Sequence, residues 1–227
     1  MSTDSFAAAE AALKAGDTDE GIRLISAELE RDPKAPAHIY RNFASMLFRH
    51  KQYEQLETWA NRGAQLFARD AELLNLRGVA LRRLQRHGEA IETLNRASRL
   101  DPKSRSILSN LGNVYNDTKN PAAIDTFTKL LRVTPSDAEL QRALGRAHWF
   151  AGNLDKAETR FNLAIKLKPT LVDAWLDLSG VAGDRHQPEQ ALAVVERGLA
   201  ANPGDPRLTE ARIIGIRRSG ANREAEK

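Results

Sequence analysis

Prolines recur along this sequence at an almost constant spacing, and that period limits the possible folds more than any other feature. They stand at Pro33, Pro102, Pro135, Pro169 and Pro203. The last three intervals are 33, 34 and 34 residues, and the first interval is two such periods plus one extra residue, Pro36. A segment of this length cannot bury its apolar face alone, so consecutive segments must stack on one another to form a core.

The period divides the chain into six repeats and a tail. The repeats span residues 2–35, 37–70, 71–104, 105–137, 138–171 and 172–205, and the tail spans residues 206–227. Their eighth position is always small: Ala9, Ala44, Gly78, Gly112, Gly145 and Ser179. Their twentieth position, which is the nineteenth in the repeat 105–137 because that repeat is one residue shorter in its turn, is small in all repeats but one: Gly21, Leu56, Ala90, Ala123, Ala157 and Ala191. Small side chains let two helices approach closely, and Gly, Asn or Pro between most of these positions predicts a turn.

Each repeat is thus predicted to contain two antiparallel helices, and the composition agrees with an all-α chain. Hydrophobic residues make up 41% of the sequence, enough to bury a continuous core, while aromatic residues make up only 6%. Where a proline follows a second helix, it ends that helix, because proline lacks the N–H that the next turn would need.

Neither a membrane span nor a secretory signal is predicted. No stretch approaches the roughly 20 apolar residues that cross a bilayer, and the first residues lack a basic segment followed by an apolar run. Cysteine is absent, which fits a reducing compartment. We therefore expect a cytoplasmic location and no membrane partner.

The repeats resemble the tetratricopeptide repeat (TPR) family. The resemblance is carried best by residues 138–171 and 172–205. The residues at the signature positions are Leu144, Gly145, Gly152, Leu154, Ala157, Phe161, Ala164 and Pro169 in the first of these, and Trp175, Leu178, Ala191 and Pro203 in the second. The resemblance implies that residues 1–227 form a single right-handed superhelical solenoid of antiparallel helix pairs. Arg77, where the family usually has Leu, and Ala68, in place of the closing proline, depart from the pattern.

The tail follows the pattern of the first helix of a seventh repeat. Gly220 falls where that helix would turn. Residues 206–227 are therefore expected to be either a capping helix or a truncated seventh repeat. Whether the natural chain continues past Lys227 is left open.

No constellation of catalytic, metal-binding or phosphate-binding residues is found in the sequence. No two histidines lie four residues apart as a zinc site on a helix would prefer, and His148 falls at a core-facing position, where we expect a packed and hydrogen-bonded side chain. The formal net charge is only +4, and the densest basic cluster is Arg82, Arg83 and Arg86. We expect no metal, cofactor or nucleic-acid partner, and no catalytic residue.

In the TPR family the first helices line a concave groove that binds protein segments. The side chains that the resemblance places in this groove are Arg41, Asn42, Ser45, Asn75, Asn110, Asn113, Arg142, Arg146, Trp149 and Asp177. Asparagine is a poor helix former, but its amide can both donate to and accept from a bound peptide backbone. Asn42 and Asn110 fall on the asparagine ladder of the repeat arm of O-linked N-acetylglucosamine transferases, which the chain resembles there. Solvated surface asparagines are the alternative.

Trp149 and Phe150 are adjacent, so at 100° per residue they cannot both point into the core. We expect at least one of them to be exposed in the groove as a binding anchor. Packing against the neighbouring repeat is the alternative.

These features predict a protein-interaction scaffold that binds an extended or helical segment of a partner protein in its concave groove. We expect this scaffold to have no catalytic activity of its own. Two alternatives stay open. One is a substrate-recruiting N-terminal arm of a larger enzyme, such as a bacterial protein glycosyltransferase or sulfotransferase. The other is self-association through the terminal repeats.

Because every repeat buries its apolar stripe only against another helix, the purified protein should give a far-ultraviolet circular dichroism spectrum dominated by helix. A substantial strand component would contradict the repeat assignment.

Overall fold

A computed structural model describes residues 8–9, 11–12 and 14–225, with side chains up to residue 220. Within this part of the chain the fold is all helical, as predicted. Twelve helices have defined bounds there: α1 (Thr18–Arg31), α2 (Ala37–Arg49), α3 (Tyr53–Leu66), α4 (Ala71–Arg83), α5 (His87–Leu100), α6 (Arg105–Asp117), α7 (Ala122–Val133), α8 (Ala138–Phe150), α9 (Leu154–Leu167), α10 (Val172–Asp184), α11 (Pro188–Ala201) and α12 (Pro206–Ala225). None of these helices is both long and apolar enough to cross a membrane.

The even-numbered helices from α2 to α12 are the first helices of the predicted repeats and the tail. Helices that follow one another in sequence are the main packing partners, for example α4 with α5 and α8 with α9. First helices also contact the next first helix, as α2 does with α4, α8 with α10, and α10 with α12. In these three pairs the first helices therefore lie side by side.

Carboxylates fix where several helices begin. Asp70, Asp137 and Asp205 lie immediately before α4, α8 and α12, and each accepts hydrogen bonds from backbone N–H groups of the first turn at 3.0–3.1 Å. Such N-caps satisfy donors that the helix itself cannot. Aspartate at this position therefore marks the start of the first helix in two repeats and of the helix in the tail.

The turn between the two helices of a repeat has the same backbone geometry each time. One residue adopts a left-handed conformation, and it is Gly16, Lys51, Gln85, Lys119, Gly152 or His186, with φ between 53° and 85°. The next residue then donates its N–H to a carbonyl five residues earlier, at 2.7–3.0 Å. This is a Schellman cap, which satisfies orphan carbonyls at the helix end. Four of these six left-handed residues are not glycine, so glycine alone would not have located all of these turns.

Close approach at the eighth position explains its small residues. A Cβ atom on Gly78 would lie 2.5 Å from Cγ of Leu94, and one on Gly145 would lie 2.6 Å from Cε1 of Phe161. Both large side chains are fully buried. The second helix of each of these repeats therefore packs directly on the backbone of the first.

The chain divides into two compact halves, residues 1–114 and 115–227. The core of the first half includes Tyr40, Phe43 and Trp59, and the ring of Trp59 contacts those of the other two. The core of the second half includes Phe161 and Trp175. Each half therefore buries its own apolar residues.

The turn predicted at Gly220 is wrong, because α12 continues through this residue to Ala225. A Cβ atom on Gly220 would meet no other atom within 4 Å, so the backbone has no close neighbour there. An exposed glycine costs a helix about 1 kcal/mol relative to alanine but does not end it.

The same substitution should have opposite effects at two glycines. Gly78→Ala should destabilise the protein by roughly 1–3 kcal/mol, because its Cβ atom overlaps Leu94. Gly88→Ala, in the first turn of α5, meets no atom within 4 Å and should stabilise the helix by up to about 1 kcal/mol. Urea unfolding followed by circular dichroism would measure both effects. Equal shifts of the two midpoints would contradict the close approach.

Candidate functional site

Six of the predicted groove residues lie in the first half, and we call them the first surface. They are Arg41, Asn42 and Ser45 on α2, Asn75 on α4, and Asn110 and Asn113 on α6. Asn42 is exposed, and Ser45 and Asn113 are half-buried. Asn75 differs from the rest because it is only 4% exposed.

Asn75 and Asn110 are joined by a hydrogen bond rather than left open to a ligand. Nδ2 of Asn110 donates to Oδ1 of Asn75 at 2.8 Å, and Nδ2 of Asn75 donates to Glu72 at 3.4 Å. A buried amide needs such partners, because an unsatisfied one costs about 1–3 kcal/mol. Asn75 therefore does not present its amide to the surface, and Asn110 satisfies a buried group of the fold.

Arg41 is also engaged within the fold. Its guanidinium donates to Asp70 at 2.5 Å, and the same carboxylate caps the start of α4. Arg41 remains 39% exposed, so its charge is partly available to solvent. This pair ties α2 to the N-terminus of α4.

The remaining four predicted residues, Arg142, Arg146, Trp149 and Asp177, lie in the second half, and we call them the second surface. Arg142 on α8 donates to Asp177 at 2.6 Å and to Asp173 at 3.2 Å, both on α10. Burial raises the pKa of the Asp177 carboxyl, and the adjacent Arg142 guanidinium opposes that rise. Arg207 on α12 donates to Asp173 at 2.6 Å. The charges therefore link three first helices.

Trp149 packs against the neighbouring first helix. Its indole Nε1 donates to Asp184 on α10 at 2.6 Å. The indole also lies so close to Gly180 that a Cβ atom there would be 2.3 Å from Cη2. Trp149 is half-buried, so the alternative expectation, contact with the next repeat, describes it better than a freely exposed anchor.

Phe150 is likewise half-buried and stacks on Trp149, with ring centroids 6.2 Å apart and an angle of 13° between the rings. The guanidinium of Arg146 lies 5.3 Å from the centroid of the Phe150 ring, within the range of a cation–π contact. Arg146 therefore covers one side of the aromatic pair.

Beside Trp149 lies a cavity of about 740 Å³, which we call the cleft. Its walls come from α8, α10, α12 and the start of α11. The lining residues are Trp149, Leu176, Ser179, Gly180, Gly183, Asp184, His186, Pro188, Ala191, Ala211, Ile214, Gly215 and Arg218. The sequence analysis identified only Trp149 among them as a binding residue. Two signals were available: Gly180 and Gly183 within one helix, and the apolar Ile213, Ile214 and Ile216 in a polar tail.

His148 is buried, as expected for a core position, and burial together with the charges of Lys156 and Arg160 lowers its pKa. The expected hydrogen bond is not found at Nδ1, which has no partner among the described residues. Those residues also contain no group of three His, Cys, Asp or Glu side chains that could hold a metal ion.

Two family models match the middle of the chain. The one described as a TPR repeat matches residues 78–118, and the one described as a tetratricopeptide repeat matches residues 114–171. Among curated proteins, the human protein O-mannosyl-transferase TMTC1 is 24% identical over 196 residues, which cover 68% of this chain and 22% of that protein. The chain thus spans about a fifth of the length of this relative.

Solved structures support the same fold. A tetratricopeptide repeat protein from Parabacteroides merdae has a TM-score of 0.80 at 17% identity, with 98% of this chain and 87% of that chain covered. YrrB, described as a TPR protein with an unusual peptide-binding site, has a TM-score of 0.64 at 20% identity, with 83% and 97% covered. At these identities the similarity concerns the fold.

Removing Arg142 should show how much an unpaired charge on Asp177 destabilises the protein. Arg142→Gln leaves a largely buried carboxylate without its guanidinium, which we expect to destabilise the protein by about 1–3 kcal/mol at neutral pH. The loss should be smaller at about pH 4, because burial raises the pKa of Asp177 and the protonated acid does not need a cation. In an Asp177→Asn background, Arg142→Gln should also cost less. Urea unfolding of the four variants would measure the coupling, and an additive result would contradict it.

Proposed function

Because the chain belongs to the tetratricopeptide repeat family, we propose that it is a protein-interaction scaffold that binds an extended or helical segment of a partner protein along its first helices. The observation that carries this proposal is the arrangement of the second surface. Arg142 and Trp149 are held in place by Asp177 and Asp184 of the next first helix, yet they remain partly accessible. Side chains fixed in this way lose little conformational freedom when a partner binds.

The first surface supplies a different kind of contact. Asn42 is exposed and Asn113 is half-buried, so their amides are the candidates for pairing with a partner's backbone. Asn110 is assigned instead to the fold, because its amide donates to Asn75. The partly exposed Arg41 would attract acidic groups mainly by speeding association.

The relationship to YrrB supports peptide binding by analogy, since that protein is described as having a peptide-binding site.

The proposed location is the cytoplasm, in keeping with the absence of cysteine. The division into six repeats and a tail remains part of the proposal. Self-association through the terminal repeats is a further possibility, which sedimentation over a range of concentrations would detect.

A second candidate function is favoured by one comparison. The match to human protein O-mannosyl-transferase TMTC1 covers 22% of that protein, so a chain of this kind can be part of a larger enzyme. In that case residues 1–227 would recruit the substrate and another part of the protein would carry out the transfer. An antibody against this chain would distinguish the two candidates, because a substrate-recruiting arm would be detected in cell extracts at a mass well above that of 227 residues.

The proposal predicts that exposed first-helix asparagines matter for binding and not for stability. Peptides selected for binding from a display library of random sequences would serve as the probe. Asn42→Ala should weaken the selected peptides that contact the first surface by roughly 1–3 kcal/mol without lowering the melting temperature. Asn162→Ala, at an exposed asparagine on the second helix α9, is the matched control, and it should leave the affinity unchanged without lowering the melting temperature.

Fluorescence anisotropy titrations and thermal melts would measure both effects. If no first-helix substitution weakens any selected peptide while Asn162→Ala does, binding occurs elsewhere and the proposal is wrong.

A further inference from the structure

The cleft combines an apolar floor with charged groups at its rim. Leu176, Ala191, Ala211 and Ile214 supply aliphatic surface, and the Trp149 indole forms one wall. Ile214 is 42% exposed although it lines a concave site. Large apolar surface of this kind is expensive to leave in water, and it marks binding sites when it is concave.

Two opposite charges of the rim, Asp184 and Arg218, have no ion-pair partner within the described residues. Asp184 accepts a hydrogen bond from Trp149, but within the described residues it has no cationic partner. Arg218 is exposed and has no acidic partner in the same part of the chain. By contrast, Arg142, Asp173, Asp177 and Arg207 on the same helices are all paired. The rim therefore offers one carboxylate and one guanidinium without an ion-pair partner beside the apolar floor.

We propose that the cleft seats a large apolar side chain of the partner segment, with a basic neighbour of that residue at Asp184 and an acidic neighbour at Arg218. This inference rests on the proposed function and names the class of segment that the second surface binds. The mixed charges fit a peptide better than a phosphate-rich surface, because Asp184 would repel phosphate groups while a peptide can carry both charges. An apolar anchor in a desolvated pocket contributes most of the affinity in many peptide complexes.

Gly183 makes the cleft unusually easy to block. It lines the cleft, and a Cβ atom there would meet no other atom within 4 Å. A larger side chain at this position should therefore occupy the space of the partner without disturbing the helix packing. Gly180, only one turn away, cannot serve, because its Cβ atom would collide with Trp149.

The test compares Gly183→Leu with Gly88→Leu, using the peptides selected from the random library. Both glycines lie in helices and have open space at Cβ, but Gly88 belongs to the first half and does not line the cleft. Gly183→Leu should weaken the peptides by about tenfold or more, and Gly88→Leu should leave their affinity unchanged. Thermal melts should show that both variants remain folded.

The three tryptophan indole N–H signals give a readout of where a peptide binds. In a two-dimensional ¹H–¹⁵N spectrum, the Trp149 signal is identified by its loss in Trp149→Phe. Peptide binding in the cleft should shift this signal and leave that of Trp59, in the first half, in place. A shift of Trp59 without a shift of Trp149 would overturn the proposal.

The charges can be tested separately from the anchor. Asp184→Asn keeps an oxygen that can accept from the Trp149 indole but removes the negative charge. It should weaken a selected peptide by a few-fold at low salt, and it should have no effect once the basic residue of that peptide is replaced by alanine. Arg218→Gln should behave in the same way toward the acidic residue. Selected peptides that lack an apolar residue with charged neighbours would contradict the assignment.

The remaining outcomes separate this inference from the proposed function. If Asn42→Ala weakens selected peptides and Gly183→Leu does not, the scaffold function stands and the cleft proposal is wrong. If no peptide is selected, both are wrong. If the protein self-associates with rising concentration and Gly183→Leu abolishes that association, a second copy of the chain occupies the cleft, and the assignment to a partner protein is overturned.

Discussion

The close approach of two helices within a repeat is the interaction on which the rest of this structure depends. At Gly78 and Gly145 there is no room for a Cβ atom, because Leu94 and Phe161 of the second helix occupy that space. Each pair of helices therefore behaves as one compact layer with apolar residues on both sides. Such layers cannot remain alone in water, so they stack, and stacking brings the first helices of successive repeats next to one another.

Polar side chains of neighbouring first helices also form hydrogen bonds with one another. Three hydrogen bonds join side chains that are 35 residues apart: Asn110 to Asn75, Arg142 to Asp177, and Trp149 to Asp184. This separation is one repeat plus about one residue, which is the offset between facing positions on neighbouring first helices. The residues expected to bind a partner are thus also residues that hold one repeat against the next. A binding surface built in this way is rigid, but several of its members cannot be changed without a cost in stability.

The cleft differs from the rest of the second surface because its polar groups are only partly used by the fold. Arg142 and Asp177 neutralise each other, and burial makes the Asp177 charge dependent on that pairing. Asp184 and Arg218 keep their charges facing solvent beside exposed apolar surface. Asp184 and Arg218 therefore keep a charge that a bound partner can neutralise, whereas the charges of Arg142 and Asp177 are already neutralised within the fold.

The helical class, the pairing of helices and the positions where they touch follow from a period of about 34 residues and from small residues at fixed positions in the sequence. The resemblance to the TPR family assigned the predicted groove residues to the first helices, which is where the structure has them. The sequence did not predict that Asn75 would be buried against Asn110, that Trp149 would lie over Gly180, or that α12 would continue through Gly220. These features depend on the rotation of each helix about its axis and on which side-chain rotamers fit between neighbours, and a repeat period specifies neither.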